Sequence, residues 1–273
     1  MNDSTWLVSH ESAVRLAIFL ATFVLMALWE LVAPLQALSL NKGCRWINNL
    51  LLLVTDSVVL RMALPIAGSG VALFCQKHQV GLFNSANVSV PIAMFCSIVL
   101  LDLTLYWQHR IFHWLPWLWR LHQVHHADLD YDVTTGIRFH PFEIVLSMLI
   151  KIAAIILLGI PPMAVVVFEV LLNSSALFNH SNIKLPGWLD ARIRLVVVTP
   201  AMHRVHHSDL WRESNSNFGF FLSFWDRFFR SYLPKPQAGL AGMRIGLDYV
   251  RTEAIANNLP ALLRMPFTVA PKR

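Results

Sequence analysis

Residues 101–126 read LDLTLYWQHRIFHWLPWLWRLHQVHH, and this stretch joins an apolar segment to a dense run of histidines. The apolar segment begins near Val88 and is about 20 residues long, which is enough for a helix to cross the hydrocarbon core of a membrane. The histidines after it stand three or four positions apart, the spacing that places side chains on one face of a helix. The stretch therefore predicts a membrane helix that leads into a histidine-rich helical cap.

The histidine pattern continues along the chain. Ten of the twelve histidines fall between positions 109 and 207, as H-x(3)-H, H-x-x-H-H, two single residues and a second H-x-x-H-H. These ten are the predicted metal ligands: His109, His113, His122, His125, His126, His140, His180, His203, His206 and His207. Neutral imidazole is a common ligand of iron, zinc and copper, and one ion takes at most about six ligands. Ten imidazoles therefore predict two metal ions close together.

The composition indicates a membrane protein. Of the 273 residues, 56% are hydrophobic and 14% are charged, whereas a soluble domain has about 25% charged residues. The basic residues that give the net charge of +6 are scattered among apolar segments. This distribution favours contact with anionic lipid headgroups over binding of nucleic acid. The three cysteines show no C-x-x-C spacing and predict neither disulfides nor thiolate metal ligands.

Apolar stretches at 13–34, 49–75, 88–107 and 143–178 predict an all-α integral membrane protein with four to five transmembrane or re-entrant helices. The last stretch is long enough to cross twice, with Gly159-Ile160-Pro161-Pro162 as a tight turn. Lys42, Arg45 and the basic region 110–138 predict that the cap faces the cytoplasm, which would be the inner face of the inner membrane in a bacterium. This topology brings all ten histidines to one membrane face.

The ligand set limits the chemistry. Without thiolates, iron–sulfur clusters and cysteine-type zinc sites are excluded, and a haem needs only one or two axial ligands. A pair of iron ions that activates O₂ uses the whole set and can oxidise the unactivated C–H bonds of a lipid. Three alternatives remain open at this point: a zinc-dependent lipid hydrolase, a metal transporter and a structural membrane protein. Iron could also be replaced by zinc during purification.

Polar residues near the histidines have predicted supporting roles. Asp102 lies on the same helical stripe as His109, and a carboxylate inside a membrane span is a functional-site hypothesis; it is expected to hold an imidazole N–H or to line the substrate path. Asn179 and Asn217 are expected to orient groups around the metals. Four arginines next to the histidines are expected to extend towards the membrane interface: Arg110, Arg120, Arg138 and Arg204.

The three spaced histidine motifs, on a chain with several membrane spans, resemble the fatty acid hydroxylase/sterol desaturase superfamily. The stretches YDVTTGIRFHP (131–141), FNHSN (178–182) and NSNFG (215–219) look like its bacterial members and its alkylglycerol monooxygenase branch. The similarity covers about residues 95 to 232. One departure is Trp114, which stands where the glyceryl-ether branch carries an acidic residue, so ether-lipid cleavage and pterin dependence are not implied.

The resemblance implies a non-haem di-iron oxygenase that hydroxylates a lipid, with desaturation as the alternative outcome at the same site. It implies two iron ions, O₂ and an external electron donor such as a ferredoxin, a cytochrome b5-like protein or a reductase. The expected organisation is N-terminal membrane helices at 1–94, a catalytic domain at 95–232 and a membrane-surface tail at 233–273. The expected partners are the bilayer, a lipid substrate and the redox protein, without nucleic acid.

Overall fold

The structure, a computed structural model, describes residues 10–66 and 68–268. In these ranges the secondary structure is helical, apart from isolated β-bridges and one 3-10 helix at Val133–Ile137. The α-helices in chain order are α1 (Glu11–Val32), α2 (Lys42–Ala63), α3 (Gly68–Lys77), α4 (Leu82–Ser85), α5 (Val90–Trp114), α6 (Pro116–His126), α7 (Pro141–Leu158), α8 (Pro162–Asn179), α9 (Gly187–Ile193), α10 (Pro200–His206), α11 (Trp211–Ser214), α12 (Phe224–Phe228), α13 (Gly239–Gly242), α14 (Glu253–Ala256) and α15 (Leu259–Thr268).

Five segments within the described residues are long and apolar enough to cross a membrane: Glu11–Val32, Lys42–Ser85, Val90–Trp114, Pro141–Leu158 and Pro162–Asn179. Many large apolar side chains on these helices are exposed, as expected of surfaces that face lipid. The predicted all-α membrane architecture, with four to five spans and a histidine-rich cap, is confirmed.

The hairpin between α7 and α8 turns at the predicted position. Gly159 ends α7 in the left-handed conformation, with φ of 67°, and Pro162 begins α8. A Cβ atom at Gly159 would lie 2.7 Å from both Asn84 Nδ2 and Val80 O, so the turn requires glycine for its conformation and for its close packing. The hairpin returns the chain to the side of the membrane from which it entered.

The cap is attached to the membrane helices through a buried ionic network. Arg45 on α2 donates to Asp128 at 2.8 Å and to Asp132 at 2.6 Å, and all three side chains are buried. Asp132 also caps the 3-10 helix by accepting from the backbone N–H of Thr134. Burial of these charges is tolerated because each is paired and hydrogen-bonded. The network fixes residues 128–138 against α2.

The C-terminal segment is part of the same folded unit. Leu247, Val250 and Leu262 pack in one buried apolar cluster with Leu52 of α2 and Val124 of α6. Side chains from the predicted N-terminal, catalytic and C-terminal regions therefore share a core. The division at 94 and 232 stays a prediction.

Candidate metal centre

Nine of the ten predicted ligands lie together in two adjoining groups. Within each group the ring nitrogens that could serve as ligands all lie within 4.8 Å of one another, and every histidine is buried. The group of five comprises His109, His113, His122, His126 and His206. The group of four comprises His125, His180, His203 and His207. The groups are in direct contact, since the ring centroids of His126 and His207 lie 4.5 Å apart.

Each H-x-x-H-H motif contributes to both groups. His122 and His126, four positions apart, belong to the group of five, whereas His125 between them belongs to the group of four. The second motif does the reverse, because its middle residue, His206, joins the group of five. Successive residues of a helix differ in direction by about 100°, so residues at i and i+4 point nearly the same way and residue i+3 points about 60° to the other side. The expectation that each motif uses one helix face is therefore wrong for the middle histidines.

Hydrogen bonds to Nδ1 orient five of the rings. Four acceptors are backbone carbonyl oxygens and one is a carboxylate. The pairs are His109 with Phe218 O at 2.8 Å, His122 with Glu143 Oε1 at 2.7 Å, His125 with Arg138 O at 3.0 Å, His180 with Ala176 O at 2.7 Å and His206 with Ser216 O at 2.7 Å. An acceptor at Nδ1 places the proton there and leaves the Nε2 lone pair available for a metal.

Burial keeps the imidazoles neutral. Desolvation lowers the pKa of His122 to about 3 and the pKa of His180 to about 4. It also holds the pKa of the other cap histidines well below the usual 6.5, with repulsion among neighbouring imidazoles adding to the effect: His125, His126, His203, His206 and His207. Neutral imidazole is the form that binds metal ions. At neutral pH these rings therefore need no deprotonation to act as ligands.

His140, the tenth predicted ligand, lies outside both groups. Its Nδ1 accepts the backbone N–H of Phe142 and caps the N-terminus of α7, and its Nε2 lies 3.2 Å from Leu263 O. Pro141 at the first helical position fixes this geometry, so the ring lies along the helix start and not towards the other histidines. In the structure His140 caps a helix and does not lie beside the other predicted ligands.

The three polar residues with predicted supporting roles contact the backbone. Asp102 accepts from the N–H groups of Phe221 and Leu222 and from Trp225 Nε1, so it holds the 218–232 segment against α5. The amide groups of Asn179 and Asn217 likewise donate to backbone carbonyls, those of Phe220 and of Met202 and Leu233. These hydrogen bonds fix the loops that carry the histidines. Among the described residues, none of the hydrogen bonds named here for the three side chains is made to an imidazole.

Two of the four arginines expected at the membrane interface are buried. Arg138 donates to Val124 O, Asn49 Oδ1 and Ala256 O, and desolvation lowers its pKa to about 10. Arg204 donates to Asn182 Oδ1. The expectation of extension to the interface is wrong for both, because their guanidinium groups donate to carbonyl and amide oxygens inside the protein.

Glu143 is the supporting residue that the sequence interpretation missed. Its carboxylate contacts His122 and is 3% exposed. The available signal was an acidic residue in the first turn of an apolar helix, three positions after His140. Backbone acceptors such as Phe218 O carry no sequence signal at all.

A cavity of about 300 Å³ lies between the membrane helices and adjoins both groups. Its lining includes Phe139, whose ring stacks on His125 at 4.6 Å, and Phe220, whose ring centroid is 5.0 Å from that of His109. Glu143 and Ala176, which hold His122 and His180, also line it. The cavity thus extends from the helix bundle to residues that contact the histidines of both groups.

Comparisons with known proteins agree with this site. The family model described as fatty acid hydroxylase matches residues 94–231. The ornithine lipid hydroxylase OlsE of Rhizobium tropici is 26% identical over 259 residues, covering 92% of this chain and 75% of its own. The alkylglycerol monooxygenase of Danio rerio is 31% identical over 149 residues and the human one 27%; the match covers 52% of this chain and 31% of each of theirs. No solved structure matches.

The match to the family model covers about half of the chain, from the second turn of α5 to a position just after α12, and includes every histidine of both groups. The chain therefore belongs to the fatty acid hydroxylase family.

Proposed function

We propose that this protein hydroxylates a C–H bond of a membrane lipid, using O₂ and two iron ions held by the two histidine groups. The observation that carries the proposal is the pair of adjoining buried groups of imidazoles beside a cavity inside the membrane helices. The names of the relatives, a lipid hydroxylase and monooxygenases, favour hydroxylation over desaturation. We do not extend the proposal to ether-lipid cleavage, because exposed Trp114 stands in place of the acidic residue of that branch.

The residues present fit two metal ions. Among the described residues, several buried ring nitrogens have no protein partner, namely Nε2 of His109, His122 and His206 and both nitrogens of His126 and His207. The group of five would hold one ion and the group of four the other. Bound iron would supply the activation of O₂ that oxidation of an unactivated C–H bond needs, with electrons from a separate ferredoxin, cytochrome b5-like protein or reductase. Zinc accepts the same donors, so the native metal has to be measured.

The protein's own groups then have defined tasks. Glu143 keeps the Nδ1 proton of His122 in place and raises the basicity of that imidazole. The aromatic rings of Phe139 and Phe220 separate the histidines from the cavity and limit the access of water. The apolar part of the cavity wall orients a lipid chain so that one carbon lies next to the histidines.

The orientation of the cap is a further part of the proposal. We propose that it faces the cytoplasm, on the basis of the Lys and Arg distribution. Cys44 is exposed at the start of α2, on the cap side of the membrane. A membrane-impermeant maleimide should therefore label Cys44 in inside-out vesicles and not in intact cells. Labelling of intact cells, absent in a Cys44→Ser control, would contradict the orientation.

The function is tested by growing cells that express the protein under oxygen-18 gas and analysing their lipids by mass spectrometry. We expect a hydroxylated lipid that carries one oxygen-18 atom. His126→Ala, which removes a proposed ligand, should abolish the product. His140→Asn is the matched control, since asparagine retains the helix-capping acceptor and the residue lies outside both groups. A product formed equally without O₂, or retained by His126→Ala, would contradict the proposal.

A further inference from the structure

A row of polar residues follows one face of α7 along the cavity. Glu143, Ser147 and Lys151 are spaced four apart and all line the cavity. Residues at this spacing share one helix face, and this transmembrane segment as a whole is strongly apolar, with a mean hydropathy of 2.2. Polar and charged residues inside a membrane span are unfavourable unless they have partners or bind something. Each member of the row therefore needs a partner.

The deep end of the row has its partners within the protein. Lys151 Nζ lies 2.6 Å from Glu169 Oε1 on α8, and Arg15 on α1 lies 3.2 Å from the other oxygen of the same carboxylate. Glu169 is 7% exposed and Lys151 is 8% exposed. Each oxygen of the Glu169 carboxylate is thus paired with a cation, so this carboxylate requires no ligand.

The end nearest the histidines is different. Three residues that line the cavity there each carry a buried acceptor oxygen to which no described residue donates a hydrogen bond: Asp56 Oδ1, Gln108 Oε1 and Glu143 Oε2. Asp56 is 4% exposed and Glu143 is 3% exposed. One N–H of the Gln108 amide donates to Ser147 Oγ at 2.6 Å. The result is a cluster of acceptors without donors.

We propose that Asp56, Gln108 and Glu143 form a binding subsite for an N–H or O–H group of the lipid substrate. Buried acceptors are nearly always paired in folded proteins, and a donor in the cavity would pair these three. Glu143 also contacts His122, so the bound donor lies beside the proposed metal centre. It follows that the substrate is a lipid with an amine or hydroxyl group a few bonds from the oxidised carbon. This inference rests on the proposed function for the identity of the cavity's occupant as a lipid.

The test compares three probes with the same alkyl chain: hexadecan-1-amine, hexadecan-1-ol and the methyl ether of hexadecan-1-ol, which lacks a donor. Binding to the full-length, iron-loaded protein in nanodiscs is measured by native mass spectrometry. A site built to pair a donor discriminates strongly against an analogue that lacks it, so we expect at least about a ten-fold preference for the amine or the alcohol over the ether. The better of the two identifies the donor class. Equal binding of all three probes would overturn the proposal.

Variants of Asp56 test whether this residue causes the preference for probes with a donor. Asp56→Leu should reduce it to less than about two-fold, since the largest unpaired acceptor group is lost. Thr55→Val is the matched control, because the Thr55 hydroxyl bonds within its own helix, to Leu51 O, and does not line the cavity. Asp56→Asn, which is closer in shape, should improve binding of the ether, because its amide supplies a donor. A preference that survives in both Asp56 variants would overturn the proposal.

The outcomes separate this inference from the proposed function. Donor preference does not depend on turnover, so a preference without any hydroxylated product would refute the proposed function alone. Oxygen-18 incorporation in a protein that binds all three probes equally would refute the donor subsite alone.

Discussion

The two histidine groups differ in what holds them. The group of five takes His109 and His113 from the membrane helix α5 and has the Glu143 carboxylate behind His122. The histidines of the group of four come from the cap and the end of α8, and backbone carbonyls hold His125 and His180. In the group of four the Nε2 atoms converge closely: His180 Nε2 lies 3.1 Å from those of both His125 and His203.

This difference shows that a membrane helix supplies part of one site, whereas the other site takes its histidines from the cap helices and the end of α8 and depends on contacts made by the cap. The support for the group of four comes from the Arg45 network, which fixes residues 128–138, including the carbonyl of Arg138 that holds His125. Each H-x-x-H-H motif supplies histidines to both groups. Neither group is therefore complete unless both motifs are in place. The two groups are thus structurally coupled but unequal in their supports.

The largest expected effect comes from removing two ligands of a single group. His122→Ala/His126→Ala leaves three imidazoles in the group of five, whereas His203→Ala/His207→Ala leaves two in the group of four. We expect both double variants to lose oxygen-18 incorporation, and the second to lose more iron, measured by elemental analysis of the purified protein. Full retention of two irons by either variant would contradict the assignment of the groups.

Next in size is the loss of Arg45. Arg45→Leu leaves Asp128 and Asp132 buried without their cation, which should lower the free energy of unfolding by about 3–5 kcal/mol. The measurement is the melting temperature in detergent, together with the iron content. Lys42→Leu, one turn earlier on the same helix and partly exposed, is the control and should change stability little. If both variants melt alike, the network is not the support of the group of four.

A smaller effect is expected from Glu143→Gln. Glutamine can still accept from His122 Nδ1 but lacks the negative charge, and loss of such a partner lowers metal affinity by about 10–100-fold. In a chelator competition, only one of the two irons should bind more weakly. The reason is that Glu143 contacts His122, which belongs to the group of five. Glu169→Gln, on the same cavity but paired with Lys151, should leave both iron affinities unchanged. An equal loss at both sites would contradict the comparison.

The last expected effect, which is absent at neutral pH, is the pH dependence of the stability of the iron-free protein. The pKa of His122 is lowered to about 3 and that of His180 to about 4, whereas both are near 6.5 in the unfolded chain. The unfolded state then binds more protons, so stability is complete above about pH 6.5 and is lost as the pH falls towards about 4. The melting temperature after chelation should decrease over this range, and less so in His180→Gln. A melting temperature that rises on acidification would contradict buried neutral imidazoles.

Much of the fold and most of the site could be predicted from sequence because both rest on local spacing. The apolar lengths predicted the spans, and Gly159 with the prolines predicted the hairpin turn. The i, i+4 spacing groups His109 with His113 and His122 with His126, and all four side chains lie in the group of five. These inferences need only helix geometry and the thickness of a membrane.

The residue roles that the sequence did not predict depend on contacts between distant segments. The roles of Asp102 and Arg138 are set by residues more than a hundred positions away, as in the bonds from Trp225 to Asp102 and from Arg138 to Ala256 O. His125 belongs to a different group from His122 and His126. This difference depends on where the second H-x-x-H-H motif packs. His140 resembles a ligand in sequence because a capping residue and a ligand can use the same ring nitrogen. No spacing rule distinguishes these cases.

The most direct test of the central claim is the Mössbauer spectrum of the wild-type protein produced in iron-57 medium. Two adjoining groups of imidazoles predict two iron ions per chain, close enough to give an exchange-coupled ferric signal. That signal, with both irons present, is the result that the account predicts. A single uncoupled iron, or zinc alone despite iron supply, would contradict it.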